Sequence, residues 1–174
     1  MAINFPEGTQ NLPSKIIQVK QSIKTDVTTT NSSGSFDISG LSVSITPSAS
    51  DSKILVSSSV CGHTHNGMGG SFEIKRTIGG SATTLTVGDA SSNRSRSSFS
   101  GHLYTGDGGG AAQIMMSCNT LILDTPSTTS AITYQVVMIS IGSSLYCINR
   151  TEGDYDSSDN TRGISNITVM EVAA

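Results

Sequence analysis

Tryptophan is absent from this 174-residue chain, aromatic residues make up 5% of it and charged residues 13%. Each shortage removes a class of function. With so few rings there is little to line a sugar-binding cleft. The charge content is about half of the roughly 25% found in ordinary globular chains. A net charge of −3 and a pI near 5.5 leave no basic stripe for a phosphate backbone, so nucleic-acid binding is not expected. No run approaches the roughly 18 consecutive apolar residues of a membrane span, so no membrane insertion is expected. The opening MAINFPEGTQNLPSK has no cationic stretch followed by an apolar run. It does not read as a secretory leader, and folding in the cytosol is expected. Cys61, Cys118 and Cys147 are an odd set without metal-ligand spacing, each in or beside an apolar strand, and are expected to be free buried thiols. Catalytic signatures are missing too: no G-x-S-x-G elbow, phosphate loop or H-E-x-x-H. The glycine-rich stretch at 106–110 is not followed by a helix and is no dinucleotide fingerprint. Neither an enzyme nor a bound cofactor is expected.

What is present is alternation. Hydrophobic residues account for 35% of the chain, and serine and threonine fill much of the rest, as suits the solvent face of strands and the turns between them. Ile17, Val19 and Ile23 share one face at period two, as do Leu41, Val43 and Ile45, and again Ile54, Val56 and Val60. Phe72, Ile74 and Ile78 alternate with Glu73, Lys75 and Thr77, and Gly79-Gly80 opens a hairpin into Leu85 and Val87. Ser91 to Arg96 reads as a polar excursion, and Phe99, Leu103 and Tyr104 as a further strand. The apolar parity of Ile114, Met116 and Cys118 flips at Leu121 and Leu123, which predicts a β-bulge near Asn119. No stretch sustains a helical period. About eight to ten short strands predict an all-β fold, an antiparallel β-sandwich of jelly-roll type.

Two segments stand apart. Residues 1–14 carry Pro6, Pro13 and Gly8 without periodicity and read as an extended N-terminal arm before a sandwich domain at 15–174. Ile3 and Phe5 suit an arm that docks onto a partner, although a frayed terminus has the same composition. In residues 132–141 both parities are apolar: Tyr134, Val136 and Met138 on one side, Val137, Ile139 and Ile141 on the other. Such a strand needs cover on both faces, and a subunit interface around a three-fold axis is the expected source, with a loop of its own chain as the alternative.

Two clusters carry potential chemistry. His63 and His65 sit at i and i+2 in the glycine-rich stretch 62–70 and would project to one side of an extended chain, where imidazoles suit iron, nickel or zinc. Solvated loop histidines are the plainer expectation. Asp154, Asp156 and Asp159 gather oxygen donors that calcium uses, but without the EF-hand glycine and glutamate. Arg150 and Arg162 flank them, so an arginine–carboxylate network is the expected fate of these charges, and no metal is assigned.

The ordered phrases ISGLSVSITPSASDSKILV, LDTPSTTSA, INR, an Asp-rich loop and ITVMEV resemble tail-fibre-like virion structural proteins of marine tailed phages, of the cyanophage type. The resemblance spans residues 38–172. It implies a virion protein assembled in the host cytoplasm, a homotrimer, and attachment to other virion proteins through the N-terminal arm. It also implies contact with a host surface receptor through loops at the far end. Capsid decoration, or an adaptor between virion parts, is the alternative. A cellular β-sandwich binding module fits the same composition without the resemblance.

Overall fold

Apolar residues at every second position build strands that bury one face. The computed structural model describes residues 15–64, 70–101, 115–140 and 145–174, and these hold eleven strands and no helix. They are β1 (Ile16–Lys24), β2 (Thr28–Thr30), β3 (Gly34–Ile45), β4 (Lys53–Thr64), β5 (Gly70–Ile78), β6 (Ser81–Thr84), β7 (Phe99–Gly101), β8 (Met116–Asp124), β9 (Ile132–Ser140), β10 (Tyr146–Ile148) and β11 (Ser165–Val172). The expected arm at 1–14, His65, Leu103, Tyr104 and Ile141 lie outside the described residues.

All pairings between the strands are antiparallel. β10 and β11 follow one another along β4, and β2 and β1 line their far side, so each pair acts as one interrupted strand. The first sheet then reads β1/β2, β10/β11, β4, β8; the second reads β3, β9, β5, with β6 and β7 both on the free edge of β5. Counted along the chain, the first sheet holds the first, eighth, third and sixth positions and the second sheet the second, seventh, fourth and fifth. That order is a jelly roll. The ends of strands at Thr30, Gly34, Thr64, Gly70, Gly101, Met116, Ser140 and Tyr146 lie at one end, called here the upper end. Connections 46–52, 79–80 and 125–131, with the backbone bond from Ala173 to Lys15, lie at the lower end.

The core lies between the sheets. Ile54, Val56, Val60, Ile167 and Val169 of the first sheet meet Ile38, Leu41, Ile45, Ile74, Tyr134 and Val136 of the second. Ile38 and Leu41 are both buried although their parity differs, because β3 shifts register between Asp37 and Ser42 around Gly40, whose φ of 84° favours glycine. Gly79 and Gly80 also have positive φ and form the tight turn of the β5–β6 hairpin, as their sequence predicts.

Three expectations need correction. β8 pairs with β4 in unbroken register from Asp124 opposite Ile54 to Met116 opposite Gly62, so there is no bulge near Asn119. Leu121 and Leu123 instead point outward, 66% and 54% exposed. Ile17, Val19 and Ile23 are exposed as well, and the inward positions of β1 are polar: Gln18 bonds Glu171, Ser22 bonds the Gly40 carbonyl, and Lys24 is buried. Finally, Val137 is 0% exposed within a single chain. Asp37 is opposite it, and the Lys75–Asp37 ion pair at 3.0 Å reaches from β5 to β3 across β9 on that face. The two-sided burial of β9 is therefore supplied by the chain itself.

Two buried carboxylates fasten the lower end. Asp124 of the first sheet accepts from Tyr134 Oη at 2.7 Å and Arg76 Nη1 at 2.8 Å, both on the second. Burial, then this hydrogen bond, push the Tyr134 phenol well above its ordinary value. Glu171, fully buried on β11, accepts from Ser48 N at 2.7 Å, Ser48 Oγ at 2.6 Å and Gln18 Nε2 at 2.6 Å. Burial pushes this carboxyl up, but the hydrogen bonds from Ser48, Gln18 and Ser52 outweigh it and hold it at about 2. A carboxyl depressed from 4.5 to about 2 stabilises the fold fully above the higher value, and the contribution fades as pH falls through the lower. It amounts to about 3 kcal/mol. Urea midpoints measured from pH 7 to pH 2 should fall for the native chain below about pH 4.5. Glu171→Gln should start lower at pH 7 and show a flatter profile.

Candidate functional site: the loop between the two halves of the eighth strand

The 149–164 loop interrupts one strand line between β10 and β11 and returns to its starting point. Its ends meet through Gly163 N donating to Asn149 O at 3.0 Å and a bridge between Arg150 and Arg162. A compact loop with closed ends on a rigid sheet is a common site of recognition.

Asn149 anchors it. The residue is fully buried and has φ of 64°, a conformation that asparagine adopts more readily than most residues. Its backbone N donates to Cys61 O at 2.9 Å. Its Nδ2 donates to Lys24 O at 2.8 Å and Asp26 O at 3.0 Å, and its Oδ1 accepts from Ser165 Oγ at 2.6 Å. Ser165 Oγ in turn accepts from Cys61 N at 3.0 Å. The break between β1 and β2, the break between β10 and β11, and the middle of β4 are thereby joined at one carboxamide. Close approach here requires glycine at 62, where a Cβ would lie 2.4 Å from Cys147 O; a Cβ on Gly163 would meet the flexible end of Met115 at 2.8 Å and Cys61 Cβ at 3.2 Å.

One carboxylate of the loop is paired within it. Asp154, itself at positive φ, binds Arg150 Nη1 at 3.1 Å and Arg162 Nη2 through its other oxygen. The flanking arginines thus form the network that their positions predict. Arg150 Nη1 also donates to Glu152 O at 3.1 Å. Glu152 Oε2 lies 3.0 Å from His63 Nε2. Asp156 and Asp159 are exposed, and the exposed Tyr155 ring lies against Gly153.

His63 is not a solvated loop residue. It belongs to β4, is 6% exposed, and pairs across the ladder with Cys147. His65 lies outside the described residues, so the two imidazoles are not brought together here. Among the described residues no three His, Cys, Asp or Glu side chains converge as metal ligands. Asp154 is occupied by arginines and separated in role from Asp156 and Asp159, which have no shared partner. All three cysteines are free: Cys147 is buried, Cys61 and Cys118 half-buried, and burial raises the Cys118 and Cys147 thiols. The sequence reading did not single out Asn149, Glu152 or Ser165. An asparagine directly before the arginine that opens an acidic loop was the available signal.

No protein-family model matches the chain, and no curated protein matches it. Among solved structures the chain is similar to the infectious bursal disease virus VP2 subviral particle, with a TM-score of 0.36 and 14% identity over 99% of this chain. The chain spans 43% of that VP2 chain. Nothing is transferred from a similarity of that size, and the fold rests on the strand order above.

Two substitutions separate anchor from network. Asn149→Ala strands two carbonyls and a hydroxyl in the interior, at about 1–3 kcal/mol for each unpaired group. Chemical denaturation should show a loss of about 3 kcal/mol or more. Asp154→Asn removes partly exposed ion pairs worth up to about 1 kcal/mol each. Amide exchange in 150–163 should accelerate by about tenfold, with the global unfolding midpoint little changed.

Proposed function

We propose that this chain is a virion structural protein of a tailed bacteriophage, a tail-fibre-like trimeric module for attachment or host recognition. It acts by binding rather than by catalysis. One observation carries the reading beyond the sequence resemblance: the jelly roll is polarised. The strand ends at Thr64, Met116, Ser140 and Tyr146 and the 149–164 loop gather at the upper end, whereas Lys15, where the N-terminal segment enters, lies at the lower end beside Ala173. A module built this way can be held at one end and present loops at the other. The assignment of loops is narrower than the sequence implies. Gly62 and His63 belong to β4. Residues 91–96 lie beside the edge of the second sheet, between Leu85 bonded to Ile74 and Ser98 bonded to Phe72. The segment 106–110 is outside the described residues.

Capsid decoration, or an adaptor role, is favoured by a different observation. These 174 residues hold neither internal repeats nor a coiled-coil heptad, so they do not themselves form a fibre shaft. A single sandwich with an arm is sufficient for a protein that sits on a larger particle. Immunogold labelling of intact particles distinguishes tail from head.

The attachment half of the reading is tested by truncation. Ile3 and Phe5 are the apolar anchors of the first segment. Full burial of one such side chain on a partner is favourable by about 1.5–3 kcal/mol, multiplied when several arms bind together. Deleting residues 1–12 should leave a folded trimer that fails to assemble onto particles. Normal occupancy of the truncated protein would place attachment elsewhere, and unfolding or dissociation would make the segment part of the trimer itself.

A further inference from the structure

The outward positions of the first sheet are finished in two different ways. Toward the upper end the chain covers them with its own loop: Gly163 sits against Cys61, and Glu152 reaches His63. Toward the lower end nothing among the described residues covers them. There the register sets Val19, Met170, Leu55 and Leu123 side by side across the four strands, with Leu121 next to Leu123 on this face. Val19, Leu121 and Leu123 are each more than half exposed. Elsewhere the chain closes its apolar outer surface from within: on the second sheet Asp37 and Lys75 pair across β9, and Val137 is buried there.

Residues 1–14 arrive at the border of this row. Lys15 O accepts from Ala173 N, Ile16 stands opposite Val172, and Val172 stands opposite Lys53, all at the lower edge of the same sheet. Neighbouring strands lie about 4.8 Å apart, which makes the row about 15 Å wide from β1 to β8. Phe5 precedes Lys15 by ten residues and Ile3 precedes it by twelve. A coil of ten to twelve residues spans about 16–21 Å on average. A tether whose mean span matches the distance to be bridged gives its end an effective concentration of the order of millimolar. A separate molecule at micromolar concentration would need about a thousandfold higher affinity to displace it. Tethering therefore selects the occupant, where apolarity alone would not. Charge agrees with it. Glu7 is the one charged side chain in residues 1–14, and Lys53 is the one charge among the outward side chains of this half. Among the described residues no carboxylate pairs with Lys53.

We propose that residues 1–14 fold back over the lower half of the first sheet's outer face in their own chain, with Ile3 and Phe5 on the aliphatic row and Glu7 on Lys53. This goes beyond the attachment reading, which sends the same segment to a virion partner, and concerns the protein before assembly. Held on its own sheet, the segment keeps Phe5 out of water until a partner offers a deeper site. Its departure to that partner then uncovers the row.

Hydroxyl-radical footprinting of the purified full chain reads the contact, with oligomeric state followed by native mass spectrometry and folding by thermal unfolding. Labelling of Leu121, Leu123 and Met170 should rise severalfold when residues 1–12 are deleted. Tyr155 and Ile164 of the 149–164 loop, 72% and 53% exposed, should label equally in both proteins. Phe5→Ser should raise leucine labelling at unchanged oligomeric state, and it carries the test if the shortened chain does not fold. Glu7→Lys should weaken docking by about two- to fivefold, the usual worth of one exposed ion pair. Adding Lys53→Glu to it should restore protection, and a failed rescue overturns that pairing. Equal labelling of the leucines in the full and shortened chains overturns the proposal. So does protection present in an oligomer and lost in the full-length monomer obtained by dilution, because a neighbouring copy then supplies the cover. A shortened chain that loses protection yet decorates particles normally overturns the attachment reading alone. One that keeps protection but fails to decorate them overturns this proposal alone.

Discussion

A single carboxamide, that of Asn149, holds together the part of this jelly roll that departs from the plain pattern. Two strand lines of the first sheet are interrupted at the same height, and an interrupted line leaves backbone groups without a ladder partner. Buried groups of that kind destabilise a fold unless something else pairs with them. Asn149 supplies two donors to the carbonyls left by the first interruption and, through its own backbone and Ser165, restores the ladder along β4 at the second. The break between β10 and β11 can therefore hold a long insertion without weakening the sheet around it. The loop is then closed by its own arginines and carboxylates, and its surface is set by a framework that does not depend on what it displays.

The two outer faces of the sandwich show opposite treatments of the same physical problem. A sheet with a core on one side must still present its other side to something. On the second sheet charged side chains reach across the apolar centre of β9 and shield it. On the first sheet the upper part is roofed by the inserted loop, and the lower part is left aliphatic and almost uncharged. Polar side chains of β1 meanwhile turn inward, where Gln18 donates to the Glu171 carboxylate and Lys24 to the carboxylate of Asp26. Apolar and polar residues on β1 are thus exchanged relative to the usual arrangement, and hydrogen bonds with Glu171 make the exchange tolerable.

This exchange also explains which features were legible in the sequence. Where one face of a strand is core and the other is water, alternation reads directly. The burial of Leu41, Val43, Ile45, Ile54, Val56, Ile74 and Leu85, the Gly79-Gly80 hairpin and the jelly-roll class follow from it. On β1 and β8 the aliphatic residues mark the outer face instead. Period two locates the two faces but not which one is inside, so it groups Ile17, Val19 and Ile23 without showing that theirs is the outer face, and the parity change at Leu121 reads as a bulge. His63 looked like a loop residue because glycines surround it. Its place in β4 is fixed by pairing with Cys147, distant in the chain, which no local pattern encodes. The arginine network was visible because its members are close in sequence. The role of Asn149 was not, because its partners Lys24, Asp26 and Cys61 are far away.

The strand order has a consequence for how the chain acquires its structure. β1, the first strand made, finds its only neighbour within the described residues in β11, the last; β4, central to the first sheet, receives β8 and then β10 and β11 long after its own synthesis. Most of the first sheet therefore cannot close until β11 has emerged from the ribosome. Until then, β4 presents unpaired edges and β1 presents aliphatic side chains with nothing beside them, which is the condition under which nascent β proteins stick to one another. Pairings so distant along the chain also form slowly, since loop closure precedes any gain from contact. A chain of this design completes its first sheet late and in one step, with the eight residues of β11 acting as the closing piece.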